Sequence, residues 1–402
     1  MVRNIVGAPA RGTDFFGRDQ FVSLVWHELQ KESILLAAPR RFGKTSVMYR
    51  LIDEPQNNFQ IVHADLEHLS DPTDLMLELV VKLTKHSKLG RMLDGISFVS
   101  KEIWNGLRDT VDEVELFDVK VKLREQMRPH WEEIGRQVFR RVSQAEYPLL
   151  FILDEFPMMI DRMARLQNKR EEARALLHWL RALRQSPELG NVRFLIAGSI
   201  GIESVLNGLG EIKTINDFRT LKLEPFSSTI ASDFLQALAE TDQMPLPEEC
   251  RQKMLEMIGI FVPYFLQILY SKVHETYWLT GTAITAEEIG HIYHEKVLGV
   301  DCKTYFDHYY GRLRDYYLPQ EEKAVKRLLR EMARKGTLPR NISYEIFRET
   351  TGDGFGQDEF NITLTNLEND FYIRYNAETR QYEFACKLLR DWWLRHYALE
   401  TI

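Results

Sequence analysis

A chain of 402 residues is longer than one hydrophobic core sustains, so two or three domains are expected. Its 52 Lys and Arg against 59 Asp and Glu give a net charge of −7, which excludes a blanket polycation, so nucleic-acid contact would have to come from local basic patches. Cys250, Cys302 and Cys386 are too scattered for a disulfide framework or a C-x-x-C metal motif, no apolar run approaches the ~20 residues of a membrane span, and the first residues lack an apolar leader; a cytoplasmic location and no membrane partner are expected.

The first informative stretch is "SILLAAPRRFGKTSVMYRLI", from Ser33 to Ile52. Its apolar opening suits a buried parallel strand, and Val47, Met48, Leu51 and Ile52 recur at helical spacing. Between them, Ala38 to Thr45 departs from the phosphate-loop pattern G-x-x-x-x-G-K-[ST] only in its first residue. That position is the strand exit, where an alanine with negative φ suffices, whereas Gly43 lies where backbone must approach phosphate. Lys44 is placed to reach the β- and γ-phosphates, Thr45 to bind Mg²⁺, and the run Pro39, Arg40, Arg41, Phe42, Gly43, Lys44, Thr45 and Ser46 forms the candidate nucleotide-binding set. Arg40 and Arg41 face either the nucleotide's charge or a neighbouring subunit.

"NFQIVHADLEHL" reads as a second strand, and "SDPTDLMLELVVKL" as a helix capped by Ser70 or Asp71 with Pro72 in its first turn. His63 has no second ligand spaced to join it and reads as a packed residue. A long insertion follows, about 87–129, in which Val114 and Leu116, then Val119, Val121 and Leu123, alternate as in an extra hairpin. It is either a contact surface for a partner or a structural extension.

"YPLLFILDEFP" supplies the second half of a nucleotide site: an uninterrupted apolar strand ending in Asp154 and Glu155. Asp154 is the candidate metal carboxylate, directly or through water, and Glu155 the general base that polarises the attacking water. "REEARALLHWLRALRQ" is a plain amphipathic helix. A third strand, "VRFLIAGSIG", ends in Ser199, which either senses the γ-phosphate and orients water or belongs to an ordinary Gly-Ser turn. Arg219 precedes the last strand and is either an arginine finger into a neighbouring site or a surface ion pair.

From Ser227 the pattern turns helical up to about Leu298, and "TYFDHYYGRLRDYY" joins this region to the tail. Its tyrosines and basic residues read as packing between domains rather than as a nucleic-acid platform. The tail fits a winged helix, with helices over 320–335, 343–350 and 358–369, a hairpin pairing 371–375 with 382–386, and a closing helix. The third helix, "DEFNITLTNLEND", contains no Lys or Arg, so groove reading by it is not expected, whereas the first helix and Arg374 and Arg380 are basic.

The strings "FFGRDQFVSLVWHEL", "PRRFGKTS", "ILDEFP", "IAGS", "LKLEPFS" and "IRYNAETRQYEFACKLLRDWW" span nearly the whole chain. In this arrangement the sequence resembles the AAA+/STAND-related P-loop ATPases, in particular the archaeal-type ATPase family. The resemblance implies a parallel-sheet α/β P-loop NTPase core (1–226), an all-α lid (227–300), a linker helix (301–317) and a C-terminal winged-helix domain (318–402). It further implies that Phe16, Gly17 and Arg18 lie near the adenine, that Ser199 holds the sensor-1 position, and that Arg219 is the arginine before the last core strand. Pro263 matches the lid's G-x-P motif, although Phe261 stands where glycine is usual.

These features lead to an ATP- and Mg²⁺-binding ATPase that acts as a molecular switch, its nucleotide state controlling self-assembly into a homo-oligomer or engagement of a protein partner. ATP over GTP rests on the resemblance, since no guanine-reading N-K-x-D is evident. The rival expectation is a DNA-binding assembly or targeting factor of defence, transposition or replication type, in which hydrolysis resets the complex. A blander third is an ATP-stabilised scaffold with little turnover.

Overall fold

A computed structural model describes residues 1–93, 96, 99–109, 113–198, 201–352 and 354–398. The chain forms two compact units, one of Asp19–Ala38 and Val47–Leu223, the other of Met1–Arg18, Pro39–Ser46 and Glu224–Ile402. No helix among the described residues is long and apolar enough to cross a membrane.

The first unit is built on α1 (Asp19–Leu29), β1 (Ile34–Ala37), α2 (Lys44–Asp53, whose first turn belongs to the second unit), β2 (Gln60–Asp65) and α3 (Pro72–Lys85). It continues through α4 (Lys101–Asp109), α5 (Glu113–Met127), α6 (Trp131–Val142), β3 (Leu149–Asp154) and α7 (Phe156–Arg165). It ends with α8 (Arg170–Arg184), β4 (Val192–Ala197), α9 (Ile202–Leu209) and β5 (Arg219–Lys222). The five strands form one parallel sheet in the order β2–β3–β4–β1–β5. β3 is buried along its whole length, as its continuous apolar run requires when both faces are covered. Phe139 of α6 packs on Phe151 and Phe194, neighbours on adjacent strands, with ring centroids 4.8 and 5.6 Å away. Because β4 lies between β1 and β3, the strand leading to Lys44 and the strand bearing Asp154 end at the same edge of the sheet, one strand apart. Asp71 caps α3, its Oδ1 accepting from the Thr73 N–H at 2.9 Å, and Pro72 follows as the first helical residue.

The inserted segment corrects the expected hairpin: it is helical, as α4 and α5. The alternation at 114–123 is too short to outweigh the helical recurrence of Val119, Leu123 and Met127, the last two fully buried. Arg124 pairs with Asp74 of α3, which fastens α5 to α3. Gly106 lets α4 approach α5, since a Cβ there would lie 3.0 Å from Val119 Cγ2.

The second unit contains α10 (Ser228–Thr241), α11 (Glu248–Ile258), α12 (Pro263–Thr280), α13 (Ala286–Ile292) and α14 (Lys303–Tyr316). Then follow α15 (Pro319–Lys335), β6 (Thr337–Pro339), α16 (Arg340–Thr351), α17 (Gln357–Asn369), β7 (Ile373–Asn376), β8 (Gln381–Phe384) and α18 (Lys387–Trp393). Ser227 caps α10, and Thr285 with Glu288 forms a reciprocal capping box on α13. The strands of this unit form an antiparallel sheet in the order β6–β8–β7. β6 has only three residues, too few for any alternation to announce it in the sequence.

Trp392 and Trp393 are fully buried and meet Phe306 and Tyr310 of α14 at 5.7 and 5.5 Å. Tyr310 also stacks on Tyr397 at 3.8 Å, and the Tyr372 hydroxyl donates to the Tyr309 carbonyl at 2.6 Å. The aromatic residues of α14 are therefore packing residues between the helical segment and the C-terminal α/β segment.

Candidate functional site

In the second unit, residues 39–43 form a loop that runs directly into α2. Its positive φ angles fall on Arg41 (71°) and Gly43 (96°), and Ala38 is not among the described residues with positive φ. An alanine at the strand exit therefore costs the turn nothing. A Cβ at Gly43 would meet no atom within 4 Å, so conformation rather than crowding requires glycine there. Lys44 opens α2 and is 7% exposed, its Nζ donating to the Pro39 carbonyl at 3.0 Å. Thr45 and Ser46 complete the first turn of α2, which carries no acidic residue. This is the arrangement that receives an anion: backbone N–H groups at a helix start, a buried ammonium, and no competing carboxylate on that turn.

Arg41, a non-glycine residue held at φ 71°, is a brace. Its Nη1 donates to the Gly7 carbonyl at 2.8 Å, and its guanidinium lies 4.7 Å from the centre of the Tyr264 ring. Nearby, the Ala10 N–H donates to Ser46 Oγ at 2.9 Å, and Asn4 Nδ2 to the Gln267 carbonyl of α12 at 3.2 Å. The N-terminal segment is thus a strap over the loop. Arg3 and Asp14 fix the strap by a backbone and a side-chain contact of 2.9 and 2.6 Å, and this holds the Asp14 carboxyl below its ordinary range. Nothing in the string "MVRNIVGAPARG" signals this, because its partners are distant in sequence. Arg40, by contrast, is exposed.

Phe16, Gly17 and Arg18 pack on α10 and the residues before it. Phe16 lies 5.4 Å from Phe234, which in turn meets Phe226 at 5.8 Å. Gly17 has φ 67°, and a Cβ there would come within 2.5 Å of Ile230 Cγ2. The Arg18 guanidinium sits 4.5 Å over Phe226, and burial pushes it down to about 10 with Glu224 acting in the opposite sense. Its buried Nη2 has no hydrogen-bond partner among the described residues. Pro263 is the first residue of α12, and the preceding Phe261 carbonyl accepts from the Phe226 N–H at 3.0 Å.

In the first unit, Asp154 closes β3 and is 7% exposed, and its Oδ1 accepts from the Glu155 N–H at 3.0 Å. Glu155 adopts φ 54°, a left-handed conformation that turns the chain sharply from β3 into α7. Local strain at a candidate base was not readable from "LDEFP". Gly198 at the end of β4 admits Pro157, which would lie 2.6 Å from a Cβ there. Ser199 itself lies outside the described residues. Arg219 begins β5 opposite Ile34, so it stands at the start of the strands while Asp154 stands at their end. Its side chain is 57% exposed and its Nε lies 3.9 Å from Glu28 Oε2. His63 packs edge-on against Tyr49, as expected of a packed residue, and no three His, Cys, Asp or Glu of the described residues gather into a metal-binding group.

No family model matches the chain, and neither does any curated protein. Solved structures do. A Walker-type ATPase of Pyrococcus abyssi superposes with a TM-score of 0.60 at 15% identity, covering 97% of this chain and 99% of that one. The ORC2 protein of Aeropyrum pernix, solved as ADPNP–ADP complexes, superposes with a TM-score of 0.52 at 11% identity, covering 94% and 91%. The likeness shows the fold: an α/β core built on a parallel five-stranded sheet, followed by a helix-rich C-terminal region.

Proposed function

We propose that the chain binds ATP with Mg²⁺ and hydrolyses it, and that the bound state controls the C-terminal segment, self-assembly and partner engagement. The observation that carries this reading is the Gly43–Lys44 turn at the start of α2, following directly from β1 in a sheet whose β3 ends in Asp154 and Glu155. The similar proteins from P. abyssi and A. pernix, by their names an ATPase and a binder of adenine nucleotides, support it.

In this reading Lys44 neutralises the β- and γ-phosphates, and the amides from Gly43 to Ser46 complete the cradle. Thr45 and Asp154 hold Mg²⁺, which supplies charge neutralisation and Lewis acidity at the transferred phosphoryl group. The Glu155 carboxylate takes the proton of the attacking water, its left-handed backbone aiming the side chain away from β3. Phe16 and Arg18 supply an apolar face and a partly desolvated donor for the adenine end, with Pro263 and its turn setting the lid helix beside them. Ser199 serves as the γ-phosphate sensor. Arg219, at the far end of its own strand, acts on the site of a neighbouring copy.

The C-terminal segment, read as a winged helix, is a protein-facing switch element rather than a DNA reader. Five of its cations are engaged internally: Lys326 with Glu322, Arg327 with Glu349 at 2.9 Å, Arg334 and Lys335 with Glu331, and Arg374 with Glu383 at 2.8 Å. The exposed start of α17 bears Asp358 and Glu359. Phosphate binding would have to break those pairs against like charge. The deciding experiment is phosphate release with and without duplex DNA, on the full chain and on Lys44→Ala. DNA-independent turnover lost in the variant supports the reading, and no turnover by the wild type with bound nucleotide would instead leave the scaffold.

A further inference from the structure

Within the second unit, the turn between α11 and α12, the end of α15, the β7–β8 hairpin and the start of α18 enclose a cavity of about 210 Å³. Three cations line it, Arg374, Lys387 and Arg390, against one carboxylate, Glu383. Ile260, Phe384 and Ala385 add apolar lining. Two glycines at helix ends keep the space open. Gly259 follows α11 at φ 81°, and a Cβ there would stand 3.0 Å from Lys387 Cβ. Gly336 follows α15 at φ 87°, which leaves its Cα bare beside the Arg390 guanidinium, since a Cβ would lie 3.7 Å from Nη2.

The three cations are not equally engaged. Arg374 pairs with Glu383 at 2.8 Å and Lys387 with Asp391 at 2.7 Å. Arg390 differs: its Nε donates to the Ala333 carbonyl at 3.3 Å, near the end of α15. Among the described residues no carboxylate pairs with it, and no acceptor takes its two Nη groups. Capping α15 therefore accounts for one nitrogen of the guanidinium and leaves the other two unexplained. Arg390 is half-buried, and a charged partner is worth more there than at the open surface. Lys387 brings a second positive charge three residues away on the same helix. The volume lies below the roughly 300–1,000 Å³ of pockets that take drug-sized ligands. A compact anion fits it, and a nucleic-acid backbone does not.

We propose that this cavity binds a small phosphate monoester. Arg390 holds the phosphate through its two Nη groups, Lys387 and the paired Arg374 supply further positive charge, and a short carbon body lies against Ile260 and Phe384. A phosphate is favoured over a carboxylate because its second negative charge meets a second cation. Such a ligand touches both the α11–α12 turn and the elements α15, β7–β8 and α18. It adds a tie between the helical segment and the C-terminal segment, and Lys44 takes no part in it.

The test uses the full chain, with every arm repeated in Lys44→Ala so that binding at the phosphate loop is told apart. Titration calorimetry follows propyl phosphate, inorganic phosphate and butyrate. Propyl phosphate should bind several-fold more tightly than the other two, equally in wild type and Lys44→Ala, and should protect the amides of 259–261 and 385–390 from exchange. Arg390→Gln, which removes the charge, should weaken it on the order of tenfold. Ile260→Trp, which fills the cavity and leaves every charge in place, should abolish binding. Butyrate or inorganic phosphate as tight as propyl phosphate overturns the assignment of the ligand. No binding of propyl phosphate, binding lost in Lys44→Ala, or binding that either cavity variant leaves unchanged overturns the site. Should Arg390→Gln fail to fold for want of its contact with α15, Ile260→Trp decides alone.

Discussion

Phe42, in the loop that precedes Lys44, and Phe371, at the corner after α17, meet edge to face with ring centroids 4.9 Å apart. An aromatic pair in this geometry contributes roughly 0.5–1.5 kcal/mol beyond the area it buries. It ties the residue beside Gly43 to the residue beside Asp370, so whatever moves one segment is felt by the other. The loop is held from its other side by Arg41, which reaches Gly7 and Tyr264. The loop before Lys44 is thus fastened to the N-terminal strap, to α12 and to the C-terminal corner.

In the proposed reading, Lys44 and Glu155 divide binding from chemistry. Lys44→Ala should abolish ATP turnover by removing the ammonium from the phosphates. Glu155→Gln should retain Mg²⁺–ATP binding and lose roughly 10²–10⁴-fold in phosphate release, the range for a positioned general base. Single-turnover phosphate release beside an equilibrium binding curve separates the two, and a Gln variant as fast as wild type would remove Glu155 from its role.

Gly17→Ala should destabilise the second unit by about 1–3 kcal/mol, because φ 67° disfavours a side chain and the new Cβ would lie 2.5 Å from Ile230 Cγ2. Thermal melting measures the loss. Combined with Ile230→Ala, the substitution should recover the steric part of that loss and keep the backbone part; equal loss in both backgrounds would point away from the Ile230 contact.

Arg219 stands at the opposite end of the sheet from Asp154, so a role in hydrolysis has to be exercised on a neighbouring copy. Specific activity should then rise with protein concentration, and Arg219→Ala should lose that rise. Mixing Arg219→Ala with the double variant Lys44→Ala/Arg219→Ala should leave turnover lost, whereas mixing the two single variants should restore it. Turnover that is strictly linear in concentration, with Arg219→Ala fully active, leaves only the ion pair with Glu28.

His308 gives the protein a signature in pH. Burial, then Arg41, Arg40 and Arg312, push its imidazole down to about 3, whereas the unfolded chain titrates near 6.5. Below about pH 6.5 the unfolded state takes up a proton that the folded state refuses, so stability falls as pH falls and the loss is complete near pH 3. Between pH 6.5 and 5 this residue should account for about 2 kcal/mol of the decline. Denaturant unfolding of wild type and His308→Gln at pH 7 and pH 5 checks it: the variant should decline less by that amount, and equal declines would refute the assignment.

The parts of this protein legible in its sequence are those governed by neighbours along the chain. The apolar run of β3 with Asp154 and Glu155, the β1–loop–α2 transition around Gly43, and α15 to α18 with the β7–β8 hairpin lie within a few residues of where spacing and turn chemistry put them. Local pattern also failed locally at 114–123, where a few alternating residues outvoted the four-residue recurrence that α5 uses to pack on α3.

By itself the sequence determined the fold class and most of the core elements, and it marked a candidate phosphate loop, because backbone propensity, apolar periodicity and the Gly-Lys-Thr turn act over a few residues. Only the tertiary structure decided that Arg41 braces the loop, that Glu155 sits in a left-handed conformation, and that Arg219 begins its strand far from Asp154. It alone paired Asp370 with Arg312 and set Phe371 against Phe42. Those relations join segments hundreds of residues apart, and their energy comes from burial and from charges brought together by folding, neither of which leaves a period in the sequence.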